Sequence, residues 1–239
     1  MSKPLSGKTA LVTGATRGIG HAIASRLLAE GCRVIATGTT KAGAAPEGCD
    51  YRCVDFSAED AARSFADEVA AMAPDILVNN AGINKIAPFA EIDPDDFAEI
   101  QRVNVTAPFL LCRAVIPGMK AKGWGRIVNI SSIWGKIGKE RRGAYAASKF
   151  AIDGMTAAMA AEVAGFGILA NSVAPGFIDT DLTRGILGES GLRDLAARVP
   201  ARRLGTPQEI AALVFWLAGP ENTYVSGQNI AIDGGFTRV

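Results

Sequence analysis

One doubly wound parallel α/β sheet is the architecture this sequence predicts, and three features predict it. Short aliphatic or β-branched runs alternate with helical patterns from one end of the chain to the other. Most of those runs lack polar alternation, as strands buried on both faces require. No linker, repeat or charge run divides the 239 residues, and 49% of them are apolar, ample for one large core. The expectation is a single domain, 1–239, its parallel sheet flanked by helices on both faces.

Element by element, Thr9–Thr13 reads as the first strand and is followed by a glycine-rich turn. A helix over Ile19–Glu30 places Ile19, Ile23 and Leu27 on one face, with Gly31 positioned to stop it. Arg33–Ala36 is a second strand and Tyr51–Val54 a weaker third. Thr37–Cys49 between them, rich in Gly, Ala, Thr and Pro, is too broken for a full crossover helix. Ser57–Met72 opens with a Ser-x-x-Asp cap signature and reads as a helix. Asp75–Val78 and Arg126–Ile130 are the fourth and fifth strands. A long Ala-rich helix spans 144–164, Leu169–Val173 is the sixth strand, Pro207–Ala218 a helix with proline at its start, and Asn229–Ile232 the last strand.

Composition narrows the function. A formal charge of +1 gives no electrostatic reason to expect nucleic acid or an anionic membrane as partner. No apolar run approaches the ~20 residues of a membrane span. The segment Met1-Ser-Lys-Pro-Leu5 has no hydrophobic signal core, so a soluble cytoplasmic protein is expected. Cys32, Cys49, Cys53 and Cys112 show no paired spacing and read as buried small hydrophobes. The lone histidine, His21, argues against both a zinc centre and a Ser-His-Asp triad, and reads as a partly exposed helix residue.

Chemistry first appears after the opening strand, in Thr13-Gly14-Ala15-Thr16-Arg17-Gly18-Ile19-Gly20. Glycines between a strand and a helix let the backbone turn tightly and approach a pyrophosphate, which the helix N-terminus then attracts. In this strand–loop–helix context the loop reads as a Rossmann-type dinucleotide-binding turn, with an ordinary strand-to-helix turn as the competing reading, and Gly14, Thr16, Arg17, Gly18, Ile19 and Gly20 are its candidate cofactor residues. The second strand ends in Thr37-Gly38-Thr39-Thr40-Lys41, without the carboxylate that would bind a ribose 2′-hydroxyl. Arg17, Thr39 and Lys41 suit a 2′-phosphate instead, so NADP(H) is favoured and NAD(H) is the alternative. Asp55, with Phe56 beside it, is a candidate for the adenine; a surface turn is the competing reading.

Tyr145 and Lys149 stand four residues apart on the Ala-rich helix and share a face. An ammonium beside a phenol favours the phenolate, which lets tyrosine exchange a proton with an alcohol or carbonyl oxygen.

In order along the chain stand Thr13-Gly14-x-x-x-Gly18-x-Gly20, Asn79-Asn80-Ala81-Gly82, Asn104, Ser131-Ser132, Tyr145-x-x-x-Lys149, Pro175-Gly176 and Asp233-Gly234-Gly235. With these the chain resembles the short-chain dehydrogenase/reductase family over nearly its whole length. The resemblance implies that Tyr145 is the general acid or base, with Ser132, thirteen residues before it, holding the substrate oxygen. Lys149 would hold the nicotinamide ribose, and Asn104 would anchor a water chain leading protons to solvent. Asn80, Ala81 and Gly82 would lie against the cofactor ribose, with stabilisation of the sheet a second role. Pro175, Gly176, Ile178 and Thr180 would meet the nicotinamide.

Within the family the likeness is to 3-oxoacyl-(acyl-carrier-protein) reductases, through Gly14–Gly20, Ala174–Asp181 and Val199–Gly205. That implies an NADPH-dependent reductase of 3-oxoacyl thioesters, with Arg126 at a basic position facing the acidic carrier. Phe166 and the segment Asn84–Phe89 depart from the pattern. The loop Trp134–Gly143 carries Lys136, Lys139, Arg141 and Arg142, which could instead recognise a small anionic hydroxy compound such as a sugar acid. Trp134, with Ser132 and Tyr145, is expected to contact substrate. A segment of about 177–200, interrupted by Gly185, Gly188 and Gly191, is expected to be the substrate lid. The resemblance also implies a homotetramer, with the small residues Ala157, Ala158, Ala160 and Ala161 allowing close packing. A non-catalytic dinucleotide sensor or scaffold is the rival from another class; the presence of Asn104, Ser132, Tyr145 and Lys149 together disfavours it.

Overall fold

The computed structural model describes residues 3–239; Met1 and Ser2 of the polar N-terminal segment lie outside the described residues. Seven parallel strands form one sheet: β1 (Thr9–Val12), β2 (Arg33–Gly38), β3 (Asp50–Cys53), β4 (Ile76–Asn79), β5 (Gly125–Ile130), β6 (Ile168–Pro175) and β7 (Asn229–Ile232). Their order is β3-β2-β1-β4-β5-β6-β7. Val12 thus stands between Ala36 on β2 and Val78 on β4. The order reverses between β1 and β4, and a crevice opens there beyond the carboxyl ends of the strands. Every strand read from sequence is present, most with an end shifted by one or two residues.

Alternation along the central strands builds two cores. Ala10, Val12, Val78 and Val128 face one side, beneath α1 (Gly18–Ala29) and α7 (Pro207–Ala218). Leu11, Leu77 and Ile127 face the other, beneath α2 (Glu59–Met72), α4 (Ala107–Lys122) and α5 (Gly143–Val163). Each of the valine, leucine and isoleucine side chains among these, fully buried, stabilises the fold by roughly 1.5–3 kcal/mol. The N-terminus of α7 is well specified: Thr206 and Glu209 form a reciprocal capping box, and Pro207 occupies the first turn.

Three local expectations change. Helix α2 starts at Glu59 rather than Ser57, because the Ser57 N–H and hydroxyl both donate to Asp55 Oδ1 (2.9 and 2.8 Å). The turn has taken the donors and acceptor that a cap would use. Between β4 and β5 lie α3 (Pro94–Gln101), a π-helical turn at Arg102–Thr106, and α4, none of which the sequence pattern delimited. Asp93 caps α3 by accepting from the Asp95 N–H at 2.7 Å. In α6 (Asp181–Arg198) only Gly188 leaves helical geometry (φ 60°, ψ 179°), so Gly185 and Gly191 do not interrupt it. The β2–β3 connection carries no helix, as its composition predicts. Cys32 and Cys112 are buried as expected, and burial pushes both thiols up to about 12; Cys49 is half-buried and Cys53 exposed.

Candidate active site

The glycine loop is held by hydrogen bonds from β4. Asn80 Nδ2 donates to the carbonyls of Thr13 and Gly14 (2.9 and 3.0 Å), and Thr13 Oγ1 accepts from the N–H groups of Asn80 and Ala81 (2.9 and 3.0 Å). The Gly14 N–H donates to Thr37 Oγ1 at 3.2 Å. Gly14 has φ +64°, and a Cβ there would stand 2.9 Å from the Ala81 Cα. A Cβ at Gly20 would overlap the Gly14 carbonyl and Asn80 Nδ2. Side chains are thus excluded where a pyrophosphate must approach. Helix α1 begins just there, and its N-cap Arg17 is extended and supplies no side-chain acceptor, so its first turn is receptive to an anion. The cradle fits a dinucleotide. Asn80 and Ala81 also have the sheet-stabilising role weighed for them.

Around the loop, Thr16 packs beside Gly38, where a Cβ would come 2.5 Å from Thr16 Cγ2. Arg17, Thr39 and Lys41 are exposed near the end of β2. Asp55 Oδ1 accepts from the Ser57 N–H and hydroxyl in the surface turn described above. The Phe56 ring is 5% exposed and packs edge-to-face on Phe65 at 6.1 Å, so a cofactor contact at this position would come from its backbone.

Ser132 follows β5, buried, and its Oγ accepts from the Trp134 N–H at 3.2 Å. Helix α5 brings up Tyr145, half-buried, and Lys149, whose Nζ donates to the Ile130 carbonyl at 2.8 Å and lies 5.4 Å from the Tyr145 ring centroid. Only one of the three ammonium protons is committed in that bond. Asn104 sits in the π turn, a distortion common at functional sites. Its Oδ1 accepts from the Ile83 N–H, and its Nδ2 donates to the Ile83 carbonyl and Ser148 Oγ (2.9, 2.9 and 3.0 Å). Ser148 in turn donates to the Tyr145 carbonyl at 2.7 Å. A Cβ at Gly82 would stand 3.3 Å from Asn104 Oδ1 and 3.7 Å from Lys149 Nζ. Asn104, Gly82, Tyr145 and Lys149 therefore converge, with Ser132 on the adjoining strand end.

On the substrate side, Trp134, Phe177 and Phe236 form an edge-to-face triad with ring centroids 5.0–6.2 Å apart. Phe236 escaped the sequence reading, since its ring partners Trp134 and Phe177 are distant in sequence; locally, Asp233 holds the turn by accepting from the Gly235 and Thr237 N–H groups (2.9 and 2.8 Å). The Gly176 N–H donates to the Ile232 carbonyl at 3.0 Å, beside Pro175 at the end of β6. Ile178 is buried and bridges to Gly205. Thr180 caps α6, and its Cγ2 would lie 3.7 Å from a Cβ at Gly18, which joins the start of α6 to the glycine loop.

Two basic positions are corrected. Arg126 is 5% exposed, and its guanidinium donates to the carbonyls of Gly125, Gly167 and Asn222 (2.8, 3.2 and 2.9 Å) while stacking 4.5 Å from the Trp124 ring. It is consumed in tying loops to β5 and offers no face to a carrier protein. Lys136 turns inward and donates to the Asn229 carbonyl at 2.8 Å, so the charged loop presents three basic residues rather than four. Lys139 Nζ lies 5.3 Å over Trp134, Arg141 is exposed with φ +62°, and Arg142 is half-buried beside Tyr145.

The chain is similar over its length to known proteins. A family model described as Enoyl-(Acyl carrier protein) reductase matches residues 14–237. The 3-oxoacyl-[acyl-carrier-protein] reductase of Vibrio cholerae is 41% identical over 242 residues, covering 97% of this chain and 98% of the relative. A solved putative NAD(P)-dependent gluconate 5-dehydrogenase from Beutenbergia cavernae, described with bound NADP at low occupancy, superposes with a TM-score of 0.90 at 37% identity over 100% of both chains. A 3-oxoacyl (acyl-carrier-protein) reductase from Agrobacterium tumefaciens with NADP bound gives 0.91 at 32% identity, over 96% of this chain and 94% of that one.

Proposed function

The chain belongs to the short-chain dehydrogenase/reductase family, an NAD(P)-dependent oxidoreductase interconverting carbonyl and secondary alcohol, and we propose that it reduces 3-oxoacyl thioesters with NADPH. The convergence of Ser132, Tyr145, Lys149 and Asn104 beside the glycine cradle carries this reading. Tyr145 donates its phenolic proton to the 3-oxo oxygen as the carbonyl carbon is reduced, and Ser132 Oγ–H holds the same oxygen as charge develops on it. Lys149, anchored on the Ile130 carbonyl, keeps a positive charge beside the phenol and has two protons left for ribose hydroxyls. Asn104 fixes the π turn and the wall through which protons return to Lys149. The nicotinamide, when bound, supplies the two-electron reducing equivalent.

Gly14, Thr16, Gly18, Ile19 and Gly20 would hold the pyrophosphate, with Arg17 and Thr39 on the 2′-phosphate and Asp55 on the adenine. Asn80, Ala81 and Gly82 would line the ribose; Pro175, Gly176, Ile178 and Thr180 would flank the nicotinamide. The segment of about 177–200 would be the lid, and Trp134 part of the substrate wall. An exposed Ala157–Ala158 face on α5, with Phe150 50% exposed beside it, suits the homotetramer we infer. We place the enzyme in the cytoplasm, as the function of its reductase relatives suggests.

Burial of Arg126 favours a second reading, in which the substrate is a small anionic hydroxy compound met by Lys139 and Arg141. Initial rates of NADPH consumption with a free 3-oxoacyl thioester, the same acyl group on its carrier protein, and a keto sugar acid separate the two. Turnover of both thioesters above the sugar acid is expected; turnover of the sugar acid alone would transfer the assignment to the second reading.

A further inference from the structure

One helical turn beyond Lys149, on the same face of α5, stands a carboxylate that none of the roles above uses. Several segments meet on Asp153. Asn229 of β7 donates to its Oδ2 through Nδ2. The turn after Ser132 lies directly over it: a Cβ at Gly135 would stand 3.0 Å from Asp153 Oδ2 and 2.8 Å from Ser131 Oγ. Lys136, the next residue, donates to the Asn229 carbonyl at 2.8 Å. Asp153 Oδ1 is buried without a hydrogen-bond partner among the described residues, as is Asn229 Oδ1. A carboxylate in such a place needs positive charge near it, and Lys136 and Lys149 supply it.

Accordingly, we propose that Asp153 is a positioning residue for the reaction, seating the Ser132 turn on α5 and β7 and offsetting the charge of Lys149. The proposal rests on the reading in which Tyr145 and Lys149 move the proton. Burial raises Asp153 above the usual carboxylate range, against the opposing influence of Ser131, Ser172, Lys136 and Lys149, which marks the site as a costly one to charge. The groups facing Asp153 are Lys149 on α5, Lys136 on the turn, and the neutral Ser131, Ser172 and Asn229 on the strands and their ends. Tyr145 faces Lys149 and Arg142. Negative charge at Asp153 opposes the phenolate, so its removal lets those cations act with less opposition. The tyrosine limb of the pH–rate profile then moves to lower pH. Eight residues of helix separate the two by about 12 Å. With an effective dielectric between that of protein and water, the shift is roughly half a pH unit.

The test is the pH–rate profile of the full-length Asp153→Asn enzyme with NADPH and its best carbonyl substrate. The expected result is a fall in kcat of about tenfold from the displaced serine turn, an unchanged KM for NADPH, and the downward limb shift. The double variant Asp153→Asn, Asn229→Asp returns a carboxylate to the same pair and is expected to move the limb back. A wild-type kcat and limb in Asp153→Asn, or a lower kcat with an unmoved limb, overturns the proposal. If that variant does not fold, Lys136→Met carries the test: loss of the cation moves the limb upward, and an unmoved limb overturns it. Full activity in Tyr145→Phe would overturn the underlying reading instead.

Discussion

The two walls of the crevice are built on different principles. The proposed cofactor wall, from Thr13 to Gly20 and Asn80 to Gly82, is a lattice in which the Asn80 and Thr13 side chains satisfy four main-chain groups and glycines exclude other side chains. The substrate wall, from Ser132 to Arg142 and from Phe177 to α6, is made of side chains: three aromatic rings, an inward lysine and exposed cations. Such a lattice suits a constant ligand such as a dinucleotide, because a side chain added at Gly14 or Gly20 would collide with main chain. A side-chain wall can change its ligand by single substitutions. On the proposed reading, reaction class is therefore written in the first wall and its junction with α5, and substrate identity in the second.

The junction gives the sharpest way to break this division. Tyr145→Phe removes the proposed proton donor while leaving both walls intact, and general acid catalysis of this kind is worth about 10²–10⁴-fold. We expect kcat to fall by about 10³-fold with NADPH affinity unchanged, read by single-turnover kinetics and by cofactor fluorescence. Next in size is Gly20→Ala. The added methyl must displace the Gly14 carbonyl or Asn80, and overpacking against main chain costs about 3 kcal/mol. The expected readout is a drop in Tm of about 6–12 °C, given 2–4 °C per kcal/mol for a chain of this size, together with weakened NADPH binding. A variant with wild-type Tm would show that the lattice is not rigid.

Legibility in the sequence follows the same division. The strands could be read because parallel strands buried on both faces are continuous aliphatic runs, as in Asp75–Val78 and Arg126–Ile130. The glycine loop and Tyr145–Lys149 could be read because their chemistry depends on local spacing. Helices α3 and α4 could not be delimited: Pro108 and Pro117 and the π turn at Arg102–Thr106 break the 3.6-residue period. Arg126 looked like a docking cation because nothing local reveals the three carbonyls, up to 96 residues away, that bury it. Phe56 was drawn to the cofactor by its neighbour Asp55, while its ring packs on Phe65 in the core. Phe236 and Asp153 owe their placement to contacts with Trp134 and Asn229, at separations no periodicity can report.

A smaller effect is expected at the rim of the cofactor wall. Arg17 is exposed at the N-cap of α1, and a charge-assisted bond to a 2′-phosphate is worth about 1.5 kcal/mol at such a position. Arg17→Ala should raise the KM for NADPH about tenfold and leave that for NADH within a factor of two. Equal effects on both cofactors would mean that Arg17 contacts a group they share.

The smallest effect sharpens the comparison most, because it concerns the wall that ought to tolerate change. Lys139 rests over Trp134 and Arg141 projects into solvent, so each is screened and holds any anion weakly, by about 0.2–1 kcal/mol per pair. The double variant Lys139→Ala, Arg141→Ala should therefore change kcat/KM for a thioester without a free anionic group by less than twofold. For a carboxylate-bearing keto compound the two losses add to a factor of about two to thirty. That loss should shrink as salt rises, because exposed charges more than a Debye length of about 8 Å apart are screened at physiological ionic strength. Steady-state rates for both substrates at two salt concentrations measure it. A large, salt-insensitive loss with the uncharged substrate would place these side chains in the buried architecture of the site, and the division between a fixed cofactor wall and a variable substrate wall would fail.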